Sequence, residues 1–369
     1  MKKQSVAQGT LILIVAGLIT KILGMINRVI VTRLLGEDGI GIYMLISPTL
    51  MLLTTFASIG LPVAIPTLIS RANKRQKKIL SVSLIIAMTS SLFISIILFF
   101  TAKPLAVYLL KDTRTYLPLI SIGPLLFFVS LSSILKAYFQ GEQNMYPSAI
   151  STLIEQIVRM IISIVLLNWL MPYGVIYGVV GTIWASILGE LASIIILLIM
   201  FFKHLKVNHV GANFLPTRLN AQNFKDVLAI SLPATGSRFI GSFSHFLEPI
   251  IIVQCLYIIG YNSETSAKLY GSVSGFALPM LLMPSFITMA VTQSIVPPIS
   301  QAFESRKFDR IHNHLNTAFQ LSFLPSGLYT VLLMVFPCKL MELLYGTSTG
   351  ADYLFLMAPF SFYSIFRAL

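Results

Sequence analysis

The chain has 369 residues, of which 56% are hydrophobic and only 11% are charged, and its formal net charge at pH 7 is +13. So apolar a composition excludes an ordinary soluble domain and indicates an integral membrane protein. The apolar stretches are continuous and lack the alternation of barrel strands, so we expect them to cross the bilayer as helices.

Ten apolar runs are each long enough to span a bilayer. In chain order they cover residues 9–34, 41–70, 79–101, 116–140, 146–170, 174–201, 226–258, 266–297, 313–336 and 350–369. Between the first two runs, the sequence Gly36-Glu37-Asp38-Gly39-Ile40-Gly41 predicts a tight turn in a short outer loop. The predicted fold class is an all-α integral membrane protein.

The loops between these runs differ in their lysine and arginine content, which sets membrane orientation. With the amino terminus inside the cell, 14 of these cations fall on the cytoplasmic side and four in the outer loops. The 14 are Lys2, Lys3, Arg71, Lys74, Arg75, Lys77, Lys78, Lys203, Lys206, Arg218, Lys225, Arg306, Lys307 and Arg310. We therefore predict a multi-pass protein of the cytoplasmic membrane whose basic loops contact membrane lipid and not nucleic acid.

Short sequences of the first half recur in the same order in the second half. They are Lys21-Ile22-Leu23-Gly24 with Arg238-Phe239-Ile240-Gly241, Arg28 with His245, Tyr43 with Tyr270, and Ile65-Pro66 with Val296-Pro297. The offsets of 217, 227 and 231 residues favour two homologous, parallel halves over chance similarity between apolar segments.

The repeat predicts a domain organisation. Residues 1–203 would form an amino-terminal six-helix bundle, residues 204–225 a cytoplasmic linker, and residues 226–369 an incomplete second bundle of four helices. Because the second half reaches only its fourth span, we expect the sequence to be a truncated version of a longer transporter.

Two cations lie inside the first apolar run, Lys21 and Arg28. Seven residues are about two helical turns, so both side chains point to the same side of a helix. A cation inside the bilayer costs several kcal/mol unless it meets an aqueous cavity, a counter-ion or an anionic ligand. The pair therefore favours a cation-lined cavity, and the alternative is that both side chains reach to the membrane surfaces.

Other ionisable residues also fall within the runs. Glu155 and Arg159 are four apart on one helix face, which is equally consistent with a self-neutralising pair and with a substrate role. Glu190 follows Gly189 and suits either a helix contact or a proton site. Glu248 precedes a proline that allows a kink, and it is either an ion-binding carboxylate or a counter-ion to an arginine. The remaining residues of this group are Arg238 and His245.

Enzyme signatures are absent from the sequence. It contains no phosphate-binding glycine-rich loop followed by lysine, and its five histidines show no metal-ligand spacing. We therefore expect neither an enzyme nor a bound cofactor or metal.

Several motifs together resemble the stage V sporulation protein B family, a polysaccharide-transport branch of the MATE-like exporter superfamily that is related to lipid II flippases. They are Lys21-Ile-Leu-Gly, Arg28, Leu35-Gly36, Gly39-x-Gly41-x-Tyr43, Ser58-x-Gly60-Leu61-Pro62-x-Ala64, Glu155-Gln156-x-x-Arg159 and Pro284…Val296-Pro297. The resemblance implies a MATE-like fold of two bundles around a central cavity.

The resemblance also implies a function, which is movement of an undecaprenyl-linked, lipid II-like precursor to the outer leaflet by alternating access, in cell-wall or spore cortex synthesis. The expected substrate-binding residues are Lys21, Arg28, Arg159, Arg238 and His245, and the expected ion-coupling residues are Glu155, Glu190 and Glu248. The expected partner is a lipid-linked anionic saccharide precursor, bound by a monomer or with a further polypeptide that supplies missing helices. The alternatives are an inactive or scaffold fragment of such a transporter and an ion-coupled multidrug antiporter.

Overall fold

The computed structural model describes residues 6–71, 76–207, 221–284 and 307–368, with single positions between 288 and 303. Every regular element within these ranges is helical, as predicted. The α-helices are α1 (Val6–Ser58), α2 (Leu61–Arg71), α3 (Gln76–Pro104), α4 (Tyr116–Gly141), α5 (Tyr146–Leu170), α6 (Val175–Val207), α7 (Ala221–Ile258), α8 (Ser263–Gly271), α9 (Leu278–Leu281), α10 (Phe308–Val335), α11 (Pro337–Tyr345) and α12 (Ala351–Ala368).

Helix α1 is a hairpin of two helical arms. At Gly36 the backbone leaves the helical region, with φ 65° and ψ −171°, a conformation that glycine adopts readily because it has no Cβ. The Nη2 atom of Arg28 lies 3.6 Å from the Sδ atom of Met44, whereas 16 residues of straight helix would separate them by about 24 Å. The predicted turn is confirmed, but it is shorter than predicted, because residues 37–41 are helical.

Seven helical segments of the described residues are long and apolar enough to cross a membrane. They match the first seven predicted runs and the ninth, apart from one to three residues at the ends of three runs, and the first two runs are joined in a segment from Ile12 to Arg71. The run over 266–297 is divided among α8, a π-helical turn (Ser272–Ala277) and α9. The run over 350–369 forms α12, which is not among the seven. The count of ten spans therefore stays a prediction.

Some predicted features lie outside the described residues. They are the carboxyl end of the run 266–297 with its Val296-Pro297 match, most of the linker (208–220), and the cations Lys2, Lys3, Lys74, Arg75, Arg218 and Arg306.

The chain forms two compact units, Met1–Tyr270 and Gly271–Leu369. In the first unit, α4 packs between α3 and α6, and α5 packs against α1 and α6. Helix α7, which the repeat assigns to the second bundle, packs against α1, α2 and α3 within this first unit. In the second unit, α12 packs against α9, α10 and α11. The bundle boundaries predicted from the repeat stay a prediction.

Helix α5 shows how the first unit suits a membrane. Its interior face is polar and buried, and includes Ser151, Glu155 and Ser163. Its opposite face is apolar and exposed. It carries large side chains at intervals of four residues, namely Ile161, Val165 and Trp169. This pattern is the reverse of that in a soluble protein, because lipid and not water surrounds the exposed apolar side chains. The buried polar side chains are then available to line an interior site.

Candidate functional site

A cavity of about 290 Å³ opens inside the first unit, between the two arms of α1 and helices α5 and α6. Its lining includes two guanidinium groups and several neutral polar side chains. The polar lining residues are Asn27, Arg28, Thr32, Tyr43, Ser47, Gln156, Arg159, Ser163, Thr182 and Ser186. The arrangement therefore combines two guanidinium cations with amide and hydroxyl groups, which is a composition suited to binding an anion.

Glycines let the helices approach closely around this cavity. A Cβ atom on Gly24 of α1 would lie 3.4 Å from the Nε2 atom of Gln156. On α6, a Cβ atom on Gly189 would lie 2.9 Å from the backbone oxygen of Glu155 and 3.1 Å from the Cβ atom of Arg159. Small residues of this kind are what brings membrane helices into contact, and here they bring α6 against the charged turn of α5.

The cavity is backed by a cluster of ionised side chains around Glu155. The Nζ atom of Lys136, on α4, lies 2.6 Å from the Oε2 atom of Glu155, and the Nη2 atom of Arg159 pairs with Oε1. The Nη1 atom of Arg159 also lies 3.4 Å from the Oε1 atom of Gln156. Because Glu155 is 7% exposed, its charge depends on these partners.

Glu190 joins this cluster from α6. Its Oε2 atom accepts a hydrogen bond from the hydroxyl of Ser132 at 2.5 Å, and the residue is 7% exposed. It interacts electrostatically with Glu155, Lys136 and Arg159. The cluster therefore contains two carboxyl groups and two cations, a composition that balances when all four are ionised.

The structure brings four of the predicted site residues together. Arg28 and Arg159 line one cavity, and Glu155 and Glu190 lie in the cluster behind it. Lys21 lies two turns before Arg28 on α1, with an exposed side chain outside the cavity lining.

The predicted site residues on α7 form a separate group. His245 is exposed, and its Nδ1 atom lies 3.6 Å from the Oε2 atom of Glu248. The hydroxyl of Tyr270, on α8, lies 3.5 Å from the Oε1 atom of the same carboxylate. Arg238 lies two turns before His245, with an exposed side chain. The substrate-binding and ion-coupling roles of all eight residues stay predictions.

Sequence reasoning missed Lys136, although the signal was present. It is a single cation inside the apolar run 116–140, which is the same pattern that identified Lys21. The contributions of Thr182 and Ser186 were also missed, because hydroxyl groups are frequent in membrane helices and carry little signal by themselves.

Comparisons with known proteins agree with this fold and indicate the family. A family model described as polysaccharide biosynthesis protein matches residues 6–303. Stage V sporulation protein B of Bacillus subtilis (strain 168) is 41% identical over 98% of this chain and 70% of its own length. Sporulation protein YkvU of the same organism is 24% identical over 97% of this chain and 80% of its own length. Its lipid II flippase MurJ is 21% identical over 89% of this chain, which spans 62% of that flippase.

Solved structures show the same fold at low sequence identity. The inward-facing conformation of a multidrug resistance MATE family transporter of the MOP superfamily has a TM-score of 0.65 and 15% identity, over 95% of this chain and 79% of that one. A MATE transporter in the bent conformation has a TM-score of 0.55 and 15% identity, over 98% of this chain and 80% of that one. The predicted all-α, MATE-like membrane fold is thus confirmed. The relatives are named as sporulation proteins, a flippase and transporters, which agrees with the expectation that the chain is not an enzyme.

Proposed function

Since the chain belongs to the polysaccharide biosynthesis protein family, we propose that it is a flippase that moves a lipid-linked saccharide precursor across the membrane. The observation that carries this proposal is the cavity with Arg28 and Arg159 in its walls. Guanidinium groups bind phosphate oxygens through paired, charge-assisted hydrogen bonds, and such bonds offset the cost of removing an anion from water.

The proposed substrate is an undecaprenyl-linked precursor of the lipid II type, whose head carries an anionic diphosphate. A cavity of about 290 Å³ is at the lower end of the range for ligand sites, so it suits the diphosphate group and not the whole saccharide. The polyprenyl chain would stay in the bilayer. The names of the relatives, a stage V sporulation protein and a lipid II flippase, support a precursor of the cell wall or spore cortex.

Transport in this proposal runs from the inner to the outer leaflet of the cytoplasmic membrane by alternating access, with the amino terminus in the cytoplasm. The distribution of lysine and arginine supports this orientation. Lys21, Arg238 and His245 have exposed side chains outside the cavity lining. We propose that they contact the anionic head at other stages of its passage.

An ion gradient or the membrane potential would drive transport through the intramembrane carboxylates. Glu155 is neutralised by two cations and therefore suits the part of a fixed counter-ion. Glu190 contacts the hydroxyl of Ser132, and Glu248 lies near His245. Those two carboxyl groups suit proton or cation exchange better, because among the described residues neither forms an ion pair with a lysine or an arginine.

The cavity composition also argues against the multidrug alternative. A cationic drug would meet Arg28 and Arg159, and like charges in a site of low dielectric constant repel strongly. A cation exporter would need carboxylates in the lining, and the described lining residues of this cavity include none.

A matched pair of substitutions on α1 tests the proposal. Arg28→Gln removes a cation that lines the cavity, whereas Arg33→Gln removes a cation of the same helix that is not among the lining residues. In proteoliposomes, Arg28→Gln should slow flipping of a fluorescent undecaprenyl diphosphate saccharide at least tenfold, because one charge-assisted hydrogen bond contributes about 1.5–3 kcal/mol. Arg33→Gln should flip like the wild type. Equal rates in both variants, or transport of cationic dyes in place of the lipid, would contradict the proposal.

A further inference from the structure

Lys136 enters the function proposed above only as a counter-ion of Glu155, although it holds a central position in the charged cluster. We propose that Lys136 is a positioning residue for the anionic group: by neutralising Glu155, it allows Arg159 to turn from Glu155 towards a phosphate in the cavity. This inference deepens the proposed function and rests on it. It adds a residue on α4, which contributes no residue to the described cavity lining.

Each carboxylate oxygen of Glu155 pairs with a different cation. Its Oε2 atom faces the Nζ atom of Lys136 at 2.6 Å, and its Oε1 atom faces the guanidinium group of Arg159. Of these two cations, Arg159 lines the cavity and Lys136 does not. Only Arg159 is therefore placed to exchange one anionic partner for another.

Glu155 needs a second cation because its carboxylate is buried. If Glu155 had Arg159 as its single partner, a phosphate that took over the guanidinium group would leave a buried carboxylate unpaired, which is strongly unfavourable. Lys136 removes this cost, because Glu155 keeps one short ion pair throughout. The charged groups facing this exchange are Glu190 on α6 and Arg28 on α1.

Lys136 thus affects the cavity in two ways, through the mobility of Arg159 and through the electrostatic potential. With Lys136 present, Arg159 shares its carboxylate and is held less tightly. Without Lys136, Glu155 forms its ion pair with Arg159 alone, and the positive electrostatic potential at the cavity falls. Both effects weaken the binding of an anion, and neither changes the binding of a neutral lipid.

The test is equilibrium binding to the purified chain in detergent, with geranylgeranyl diphosphate as the probe and geranylgeraniol as its neutral counterpart. Lys136→Met should weaken binding of the diphosphate about tenfold, which corresponds to about 1.4 kcal/mol, and leave binding of the alcohol unchanged. Lys136→Arg should bind the diphosphate like the wild type. Lys103→Met, at an exposed lysine of α3, is the control and should change neither affinity.

A double substitution separates positioning from a purely structural role. Lys136→Met combined with Glu155→Gln removes the carboxylate that would hold Arg159, so it should restore diphosphate binding to near the wild-type affinity. The double variant leaves one carboxyl group, Glu190, with one cation, Arg159, whereas Lys136→Met alone leaves two carboxyl groups with one cation. The double variant therefore keeps the test valid if Lys136→Met alone folds poorly. Weak diphosphate binding by the folded double variant, or wild-type binding by Lys136→Met, would overturn the inference.

The same measurements distinguish this inference from the proposed function. If the wild type fails to bind the diphosphate, or binds it equally well after Arg28→Gln, the proposed function is wrong and the inference falls with it. If binding depends on Arg28 but not on Lys136, only the role of Lys136 is wrong.

Discussion

Replacing Glu155 by glutamine is the most direct test of the charged cluster as a structural unit. The substitution keeps the size and shape of the side chain but removes its charge. Lys136 and Arg159 then lose their shared carboxylate, while Glu190 remains nearby on α6. Two cations that were neutralised inside the helix bundle would repel each other, so we expect the folded state to lose stability.

The magnitude follows from the burial of the three side chains. Removing one partner of a buried ion pair costs about 3–5 kcal/mol. The side chains of Lys136, Arg159 and Glu155 are 17%, 25% and 10% exposed, so some solvent reaches the cations and the lower end applies. An unfolding entropy of about 2.1 cal/mol/K per residue gives about 0.8 kcal/mol/K for 369 residues. A loss of about 3 kcal/mol then lowers the melting temperature by about 4 °C.

The assay is thermal unfolding in detergent, followed by intrinsic fluorescence, for the wild type, Glu155→Gln, Lys136→Met and the double variant. Because the two side chains are 2.6 Å apart at Nζ and Oε2, the cycle should show a coupling of about 1–3 kcal/mol. Additive effects in this cycle, or an unchanged melting temperature for Glu155→Gln, would refute the interpretation of the cluster as a mutually neutralised unit.

Three further predictions concern packing and surface charge. Gly189→Val should lower stability by about 1–3 kcal/mol through overpacking against α5, and Gly17→Ala, which meets no atom within 4 Å, should leave the melting temperature unchanged. Gly36→Ala should cost about 1–3 kcal/mol, because the backbone has φ 65° there, and it should also loosen the α1 hairpin in hydrogen exchange. Lys268→Met breaks a 3.0 Å contact with Asp38 that is more than a third exposed, so its effect on the same melting assay should stay below about 1 kcal/mol.

The helices themselves were largely predictable, because the bilayer imposes a length on every span. The predicted run 146–170 coincides with α5 (Tyr146–Leu170), and the run 116–140 nearly coincides with α4 (Tyr116–Gly141). The predictions were weaker where the chain departs from a straight span. The run 41–70 is interrupted after Ser58, where Ile59 has a φ of 40°, and hydrophobicity carries no signal for such a break.

Contacts within one helix of the candidate site were also predictable, because helix geometry fixes which residues are neighbours. Glu155 and Arg159 are four residues apart, and a helix places such residues side by side whatever surrounds it. The pair between Lys136 and Glu155 joins two helices, and its formation depends on how α4 and α5 pack. Sequence could identify each of these residues as an unusual charge in the membrane, but it could not identify which of them would meet.

The predicted repeat leads to a chemical difference between the halves. It pairs Arg28 with His245 and Tyr43 with Tyr270. In the first half, Arg28 and Tyr43 line one cavity, whereas in the second His245 and Tyr270 both lie near the carboxylate of Glu248. Each half thus has a tyrosine at one matched position, but the other matched position carries a permanent cation in the first half and an imidazole beside a carboxylate in the second. Because a guanidinium group stays charged whereas an imidazole can exchange a proton, we propose that the second-half group of His245 and Glu248 takes part in ion coupling as well as in contact with the anionic head.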